Sequence, residues 1–131
     1  MATADTPVTD TVVAVIGASS DRRKYGNKAV RAFVSQGYRV VPVNPRESEI
    51  EGLPAYKSVL DVPGRIDMAT FYVPPEIGES LLDEMAAKGI PEVWINPGAE
   101  SEALVARARA LQLKAVLACS IIGAGENPAN F

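Results

Sequence analysis

Histidine is absent from the 131-residue chain, and cysteine occurs once. The first absence removes the usual proton shuttle near neutral pH, the phosphohistidine route to group transfer and the commonest zinc ligand. With a single cysteine beside it, a protein metal site is not expected. Cys119 has no second cysteine to pair with, so nothing calls for an oxidising compartment. No apolar run reaches the roughly 20 residues of a membrane-spanning helix, and residues 1–10 lack the basic start and apolar centre of a signal peptide. The expectation is a cytoplasmic chain without membrane contact, opening on a short disordered lead over residues 1–10. Paired acids are missing too. Asp83 and Glu84 come nearest, but neighbouring helical positions point in different directions and cannot flank one substrate, so no catalytic pair emerges.

What is present reads as one packed domain. Apolar residues make up 47% and charged residues 22% of a length that suits a single core. The run Val12-Val13-Ala14-Val15-Ile16 has the apolar, β-branched character of a strand buried on both faces of a parallel sheet. Helical spacing of Val30, Phe33 and Val34 predicts a helix over residues 27–36, with Gly37 as its stop. Strands are then expected over 39–43, 67–73, 92–95 and 114–118. Helices are expected from Pro75 to Lys88 and over 99–111, the latter with Glu100 and Glu102 near its start and Arg107 and Arg109 near its end. Residues 47–64 allow one short strand near Ala55-Tyr56 and a turn of helix after Ser58. The tail, residues 123–131, is expected to be mobile, because Gly125 and Pro128 oppose regular structure.

Strands alternating with helices predict α/β architecture. It would be a doubly wound parallel sheet of five to six strands between two helical layers, a Rossmann-like three-layer sandwich over residues 11–122. In such sheets the ligand lies outside the carboxyl ends of the strands, where the winding reverses. Functional residues are therefore expected just after Ile16, Val43 and Val73.

The loop after Ile16 carries the clearest chemistry. Gly17 permits a tight turn and close backbone approach, Ser19 and Ser20 supply hydroxyls, and the helix that follows presents unpaired N–H groups. Arg22, Arg23, Lys24, Lys28 and Arg31 oppose one acid, Asp21, which leaves +4 in this segment and −7 elsewhere within a net charge of −3. Arg22 and Lys24 are thus candidates to meet phosphate oxygens. A tight turn without a ligand would also need the glycine, and a solvated helix face would also explain the charges. The pI of about 5.0 and a basic patch of eleven residues argue against nucleic acid.

An NAD site expects G-x-G-x-x-G and an acid about 20 residues further on for the ribose hydroxyls. Here the third loop position is Ser19, and the second strand runs into Asn44-Pro45-Arg46 with no acid before Glu47. A phosphorylated ribose, as in coenzyme A or NADP, would suit Arg46 better.

The stretches Val15-Ile16-Gly17-Ala18-Ser19, Gly37-Tyr38-Arg39-Val40-Val41-Pro42-Val43-Asn44-Pro45, Tyr72-Val73-Pro74-Pro75 and Val93-Trp94-Ile95-Asn96-Pro97-Gly98 give a resemblance. Over about residues 12–119 the chain resembles small stand-alone coenzyme A-binding proteins, which are similar to the N-terminal domain of the succinyl-CoA synthetase alpha subunit. The resemblance implies coenzyme A or an acyl-CoA as ligand, its ADP part lying across the strand ends. By position, Gly17, Ala18, Ser19, Arg22 and Lys24 would serve phosphate, and Asn44, Pro45, Val73 and Pro74 would line the adenosine and pantetheine path. Tyr25 either packs on the ligand or anchors its helix. The synthetases phosphorylate a histidine of a further domain that this chain lacks, so a non-catalytic binding, sensor or carrier module is implied. A protein partner or homo-oligomer stays open, as do an NADP-binding oxidoreductase-like domain and a ligand-free interaction protein. Cys119 reads as a small core residue, or as a thiol near the reactive end of bound coenzyme A.

Overall fold

The computed structural model describes residues 10–131, so all of the expected lead except Asp10 lies outside the described residues. The first strand, Val12–Ile16 (β1), has four of its five residues buried. Its side chains alternate: Val13 and Val15 meet one hydrophobic layer, Ala14 and Ile16 the other. Tyr25–Ser35 (α1) lies on the first face and sends Ala29, Val30 and Phe33 into it. The chain continues through Arg39–Val43 (β2), a hairpin of Glu49–Ile50 (β3) and Leu53–Pro54 (β4), and Met68–Phe71 (β5). Pro75–Lys88 (α2), Glu92–Ile95 (β6), Glu102–Ala110 (α3) and Lys114–Leu117 (β7) follow. Leu82, Met85, Leu104 and Ala108 place α2 and α3 against the second face. Ser120–Gly123 (α4) closes the series on the α1 side, where Ile121 is fully buried.

The main sheet has five parallel strands in the order β2-β1-β5-β6-β7. The expected doubly wound α/β sandwich is found, at the lower of the two strand numbers. From β1 the chain moves to one side for β2, then passes back over β1 to begin β5 on the other. The winding reverses between β1 and β5, and their exit loops part to leave a crevice.

Several boundaries differ from expectation for local reasons. The third long strand stops at Phe71 rather than Val73. Tyr72 N–H still donates to the Ile16 carbonyl at 2.8 Å, but β1 has ended at Gly17 and Pro74 already caps α2. Helix α3 begins at Glu102 rather than Ala99, because the Ser101 hydroxyl caps it by accepting from Leu104 N–H at 3.1 Å. Helix α1 begins two residues early, at Tyr25. In place of one strand near Ala55-Tyr56 there is the hairpin, turned by Glu51 and Gly52 at φ 51° and 77°. Tyr56 makes only an isolated bridge to Val43. The tail is not devoid of regular structure: Pro128–Asn130 forms a 3-10 turn capped by Asn127, Glu126 accepts from Ser35 and Gln36 of α1, and the Phe131 ring lies 5.7 Å from the Arg31 guanidinium. The contacts with α1 hold against the two breakers because they come from outside the segment.

At the end of β6, Asn96 is 2% exposed and ties three elements together. Its amide nitrogen donates to Thr70 Oγ1 at 2.7 Å and to the Phe71 carbonyl at 2.8 Å, while its oxygen accepts from Ser120 N–H at 2.8 Å. The Ser120 hydroxyl continues the network to Thr70 at 2.7 Å and to the Tyr72 phenol at 2.8 Å. A buried amide so fully bonded fixes α4 to the strand ends.

Candidate functional site

The loop from β1 to α1 is shaped by two glycines. Gly17 has φ 89°, and a Cβ there would stand 2.6 Å from the Tyr72 carbonyl oxygen and 2.9 Å from Val73 Cγ1. A Cβ on Gly26 would stand 2.2 Å from the Gly17 oxygen, so the first turn of α1 packs directly on the end of β1. Gly26, not singled out from the sequence, thus supplies the close helix-to-strand approach that the last glycine of a dinucleotide fingerprint supplies. Gly17 is required first by the meeting of two strand exits, whatever else it permits.

Side chains from neighbouring elements hold the loop's carbonyls. Asn44 donates its amide to Ala18 O at 2.8 Å, and the buried Asn27 donates to Ser19 O at 2.8 Å. The Ser19 hydroxyl accepts from Asp21 N–H at 3.0 Å, and the Asn44 oxygen accepts from the N–H groups of Arg46 and Glu47. That second turn folds the β2 exit back over the loop. It brings the Glu47 carboxylate to Ser20 N–H, 3.1 Å away.

Between the exits of β1 and β5 lies an open cleft of about 640 Å³. Gly17, Ala18, Ser19, Lys24 and Tyr25 form one wall, Val73 and Pro74 another, and Asn44 a third. These eight of the ten residues expected at the site come together. Arg22 does not: its guanidinium pairs with Glu51 at 3.3 Å on the β3–β4 turn. Pro45 does not line the cleft either, because the Asn44 turn carries it outward. Further residues that were not assigned to the site from the sequence also line it, Gly26, Glu47, Tyr72 and Pro97 among them. Arg46, singled out for a phosphorylated ribose, does line the cleft.

Among the described residues neither Lys24 nor Arg46 lies within ion-pair distance of a carboxylate. Both cations are therefore available to an anion. Glu47 opposes them: the hydrogen bonds from Ser20, with the nearby Lys24 charge, hold its carboxyl below the usual carboxylate range, so it is ionised at neutral pH. Strand β2 is thus followed by an acid that does reach the cleft, contrary to expectation. Asp21 is drawn down to about 2 by the fork from Arg23 and by the Arg23 N–H, which fixes the outer edge of the loop. Burial pushes the Tyr72 phenol up to about 12, so it stays protonated within its network.

Cys119 is half-buried at the start of α4. Lys28 sits over the Tyr25 ring at 5.0 Å, so this tyrosine is steadied by its own helix while the residue stays 56% exposed beside the cleft.

The donors suit a nucleotide diphosphate bearing a further phosphate: two cations outside ion pairs among the described residues, one serine hydroxyl, and a glycine turn that leaves no side chain between backbone and cleft. Fold and cleft together define a doubly wound α/β domain with its open site at the reversal of winding. The chain belongs to the CoA binding domain family, whose model matches residues 11–125. It is 43% identical over 84 residues to the alpha subunit of an ADP-forming acetate–CoA ligase of Pyrococcus furiosus. That match takes in 63% of this chain but only 18% of the ligase subunit. Among solved structures, a conserved hypothetical protein of Pyrococcus furiosus superposes with a TM-score of 0.81 at 34% identity, covering 88% of this chain and 99% of that one. A Ca. Korarchaeum cryptofilum dinucleotide-forming acetyl-coenzyme A synthetase in complex with phosphate and ADP gives 0.74 at 30% identity, over 82% of this chain and 25% of that one.

Proposed function

We propose that this chain binds coenzyme A or an acyl-CoA through its ADP moiety, in the cleft between the β1 and β5 exits, as a binding, sensor or carrier module without catalysis of its own. The observation that carries the reading is the pairing of family membership with a cleft at the winding reversal where, among the described residues, Lys24 and Arg46 make no ion pair. The loop from Gly17 to Lys24 would meet the diphosphate, and Arg46 would meet the ribose phosphate. Val73 and Pro74 would guide the pantetheine arm away from it. Phosphate at Ser20 N–H requires Glu47 to swing aside, so Glu47 sets a threshold that only a strongly anionic ligand crosses.

The absence of histidine and of paired acids supports the non-catalytic part. Calorimetric titration of the chain with coenzyme A, acetyl-CoA, NADP and ATP tests the whole. Coenzyme A should bind more tightly than NADP; the reverse order would favour an oxidoreductase-like domain instead.

A further inference from the structure

A second hollow, of about 360 Å³, adjoins the cleft and shares Tyr25, Tyr72 and Pro97 with it. Its far side is closed by Cys119, Ile122 and Pro128 of the C-terminal segment. The two spaces differ sharply in chemistry. The cleft presents Lys24, Arg46 and Ser19. In the hollow, the Tyr72 hydroxyl is engaged by Ser120 and the Asn96 amide is spent at both ends on Thr70, Phe71 and Ser120. What remains toward the space is ring face, prolyl methylene, an isoleucine and a thiol, with the Tyr25 phenol at the exposed rim. A polar occupant would lose water there for little replacement beyond the rim, whereas an apolar one gains by leaving water. Ile122 at 63% and Tyr25 at 56% exposure leave apolar surface open at this rim.

We infer that the hollow receives the acyl group of an acyl thioester whose nucleotide end occupies the neighbouring cleft, so that the protein discriminates among coenzyme A thioesters by chain length. This rests on the coenzyme A reading of the cleft. Continuity argues for a single ligand: the two spaces share a wall of Tyr25, Tyr72 and Pro97, past which a pantetheine arm leaving the cleft would carry its apolar end into the hollow. Position also assigns a purpose to the C-terminal segment, which contributes nothing to the cleft but three of the seven residues of the hollow. The network of Asn96 and Ser120 holds α4 at the depth that keeps this space open. Gly123 belongs to the same support, because a Cβ there would stand 2.7 Å from the Trp94 ring beneath α4.

The test is a calorimetric series on the full chain with coenzyme A and its acetyl, butanoyl and hexanoyl thioesters, repeated on Ile122→Asp and on the remote Arg107→Ala. Affinity should climb by roughly three- to fourfold per added methylene until the hollow is filled. In Ile122→Asp, a change at an exposed site, hexanoyl-CoA should bind no more tightly than coenzyme A, while Arg107→Ala keeps the climb. Binding of coenzyme A with a flat series, or a climb that survives Ile122→Asp, would overturn the acyl assignment and leave the cleft reading standing. Failure of every member to bind would overturn the cleft reading and this inference with it.

Discussion

Replacing Asn96 by alanine should cost far more than a surface turn would predict. The side chain makes three hydrogen bonds of 2.7 to 2.8 Å from a site 2% exposed. Its removal leaves Thr70 Oγ1 with its Ser120 partner but takes the side-chain partner from Ser120 N–H and from the Phe71 carbonyl. Each buried polar group left without a partner costs about 1–3 kcal/mol, which brackets the loss between roughly 2 and 6 kcal/mol. Asn96 borders the apolar hollow, so water can reach part of the gap, and the lower half of that range applies. The expected loss is about 3 kcal/mol, or on the order of 10 °C in Tm for a chain this long. Urea denaturation followed by circular dichroism measures it, with Thr70→Val as a milder cut of the same network. A loss below about 1 kcal/mol for Asn96→Ala would show that the network does not secure α4, and would remove the argument for a fixed hollow.

Gly17→Ala should destabilise the fold by at least about 2 kcal/mol, from left-handed backbone strain added to the approach of its Cβ to the Tyr72 carbonyl; an unchanged denaturation midpoint would contradict the strand-exit contact. Lys24→Ala, at an exposed site, should leave stability unaltered and weaken coenzyme A about tenfold in low salt. Equal affinity in calorimetry would remove Lys24 from the site. Glu47→Gln should tighten coenzyme A several-fold at neutral pH, because a charge facing the phosphates is gone. The gap should close in acid: the native carboxyl, ionised down to a lowered value, protonates only as pH falls through that value, and its bond to Ser20 is present above it. A Glu47→Gln variant that binds more weakly at neutral pH would mean that the carboxylate accepts from the ligand instead of competing with it.

The parallel sheet was legible because its central strands are apolar and β-branched over their whole length, and because one chain-wide alternation admits few windings. The position of the cleft followed from that order alone. What escaped the sequence depends on contacts between distant segments. Two-residue strands are too short for any periodicity, so the β3–β4 hairpin could not be read, and with it went the partner that draws Arg22 away to Glu51. Glu47 enters the cleft only because the Asn44 oxygen collects two N–H groups and folds the β2 exit back. Asn44 and Asn96 stand alike before a proline at a strand end, yet Asn44 braces the loop while Asn96 is buried beneath α4. A clue to Gly26 was available, since a glycine in the first turn of a helix is unfavourable and calls for a packing reason.

Backbone amide NMR of the isotope-labelled chain titrated with coenzyme A tests the cleft assignment most directly. The predicted result is a set of shifts confined to residues 17–26, 44, 46–47 and 72–73, with acyl thioesters adding Cys119 and Ile122. Shifts centred instead on the α3 surface around Val105 and Arg109, or none at saturating coenzyme A, would contradict it.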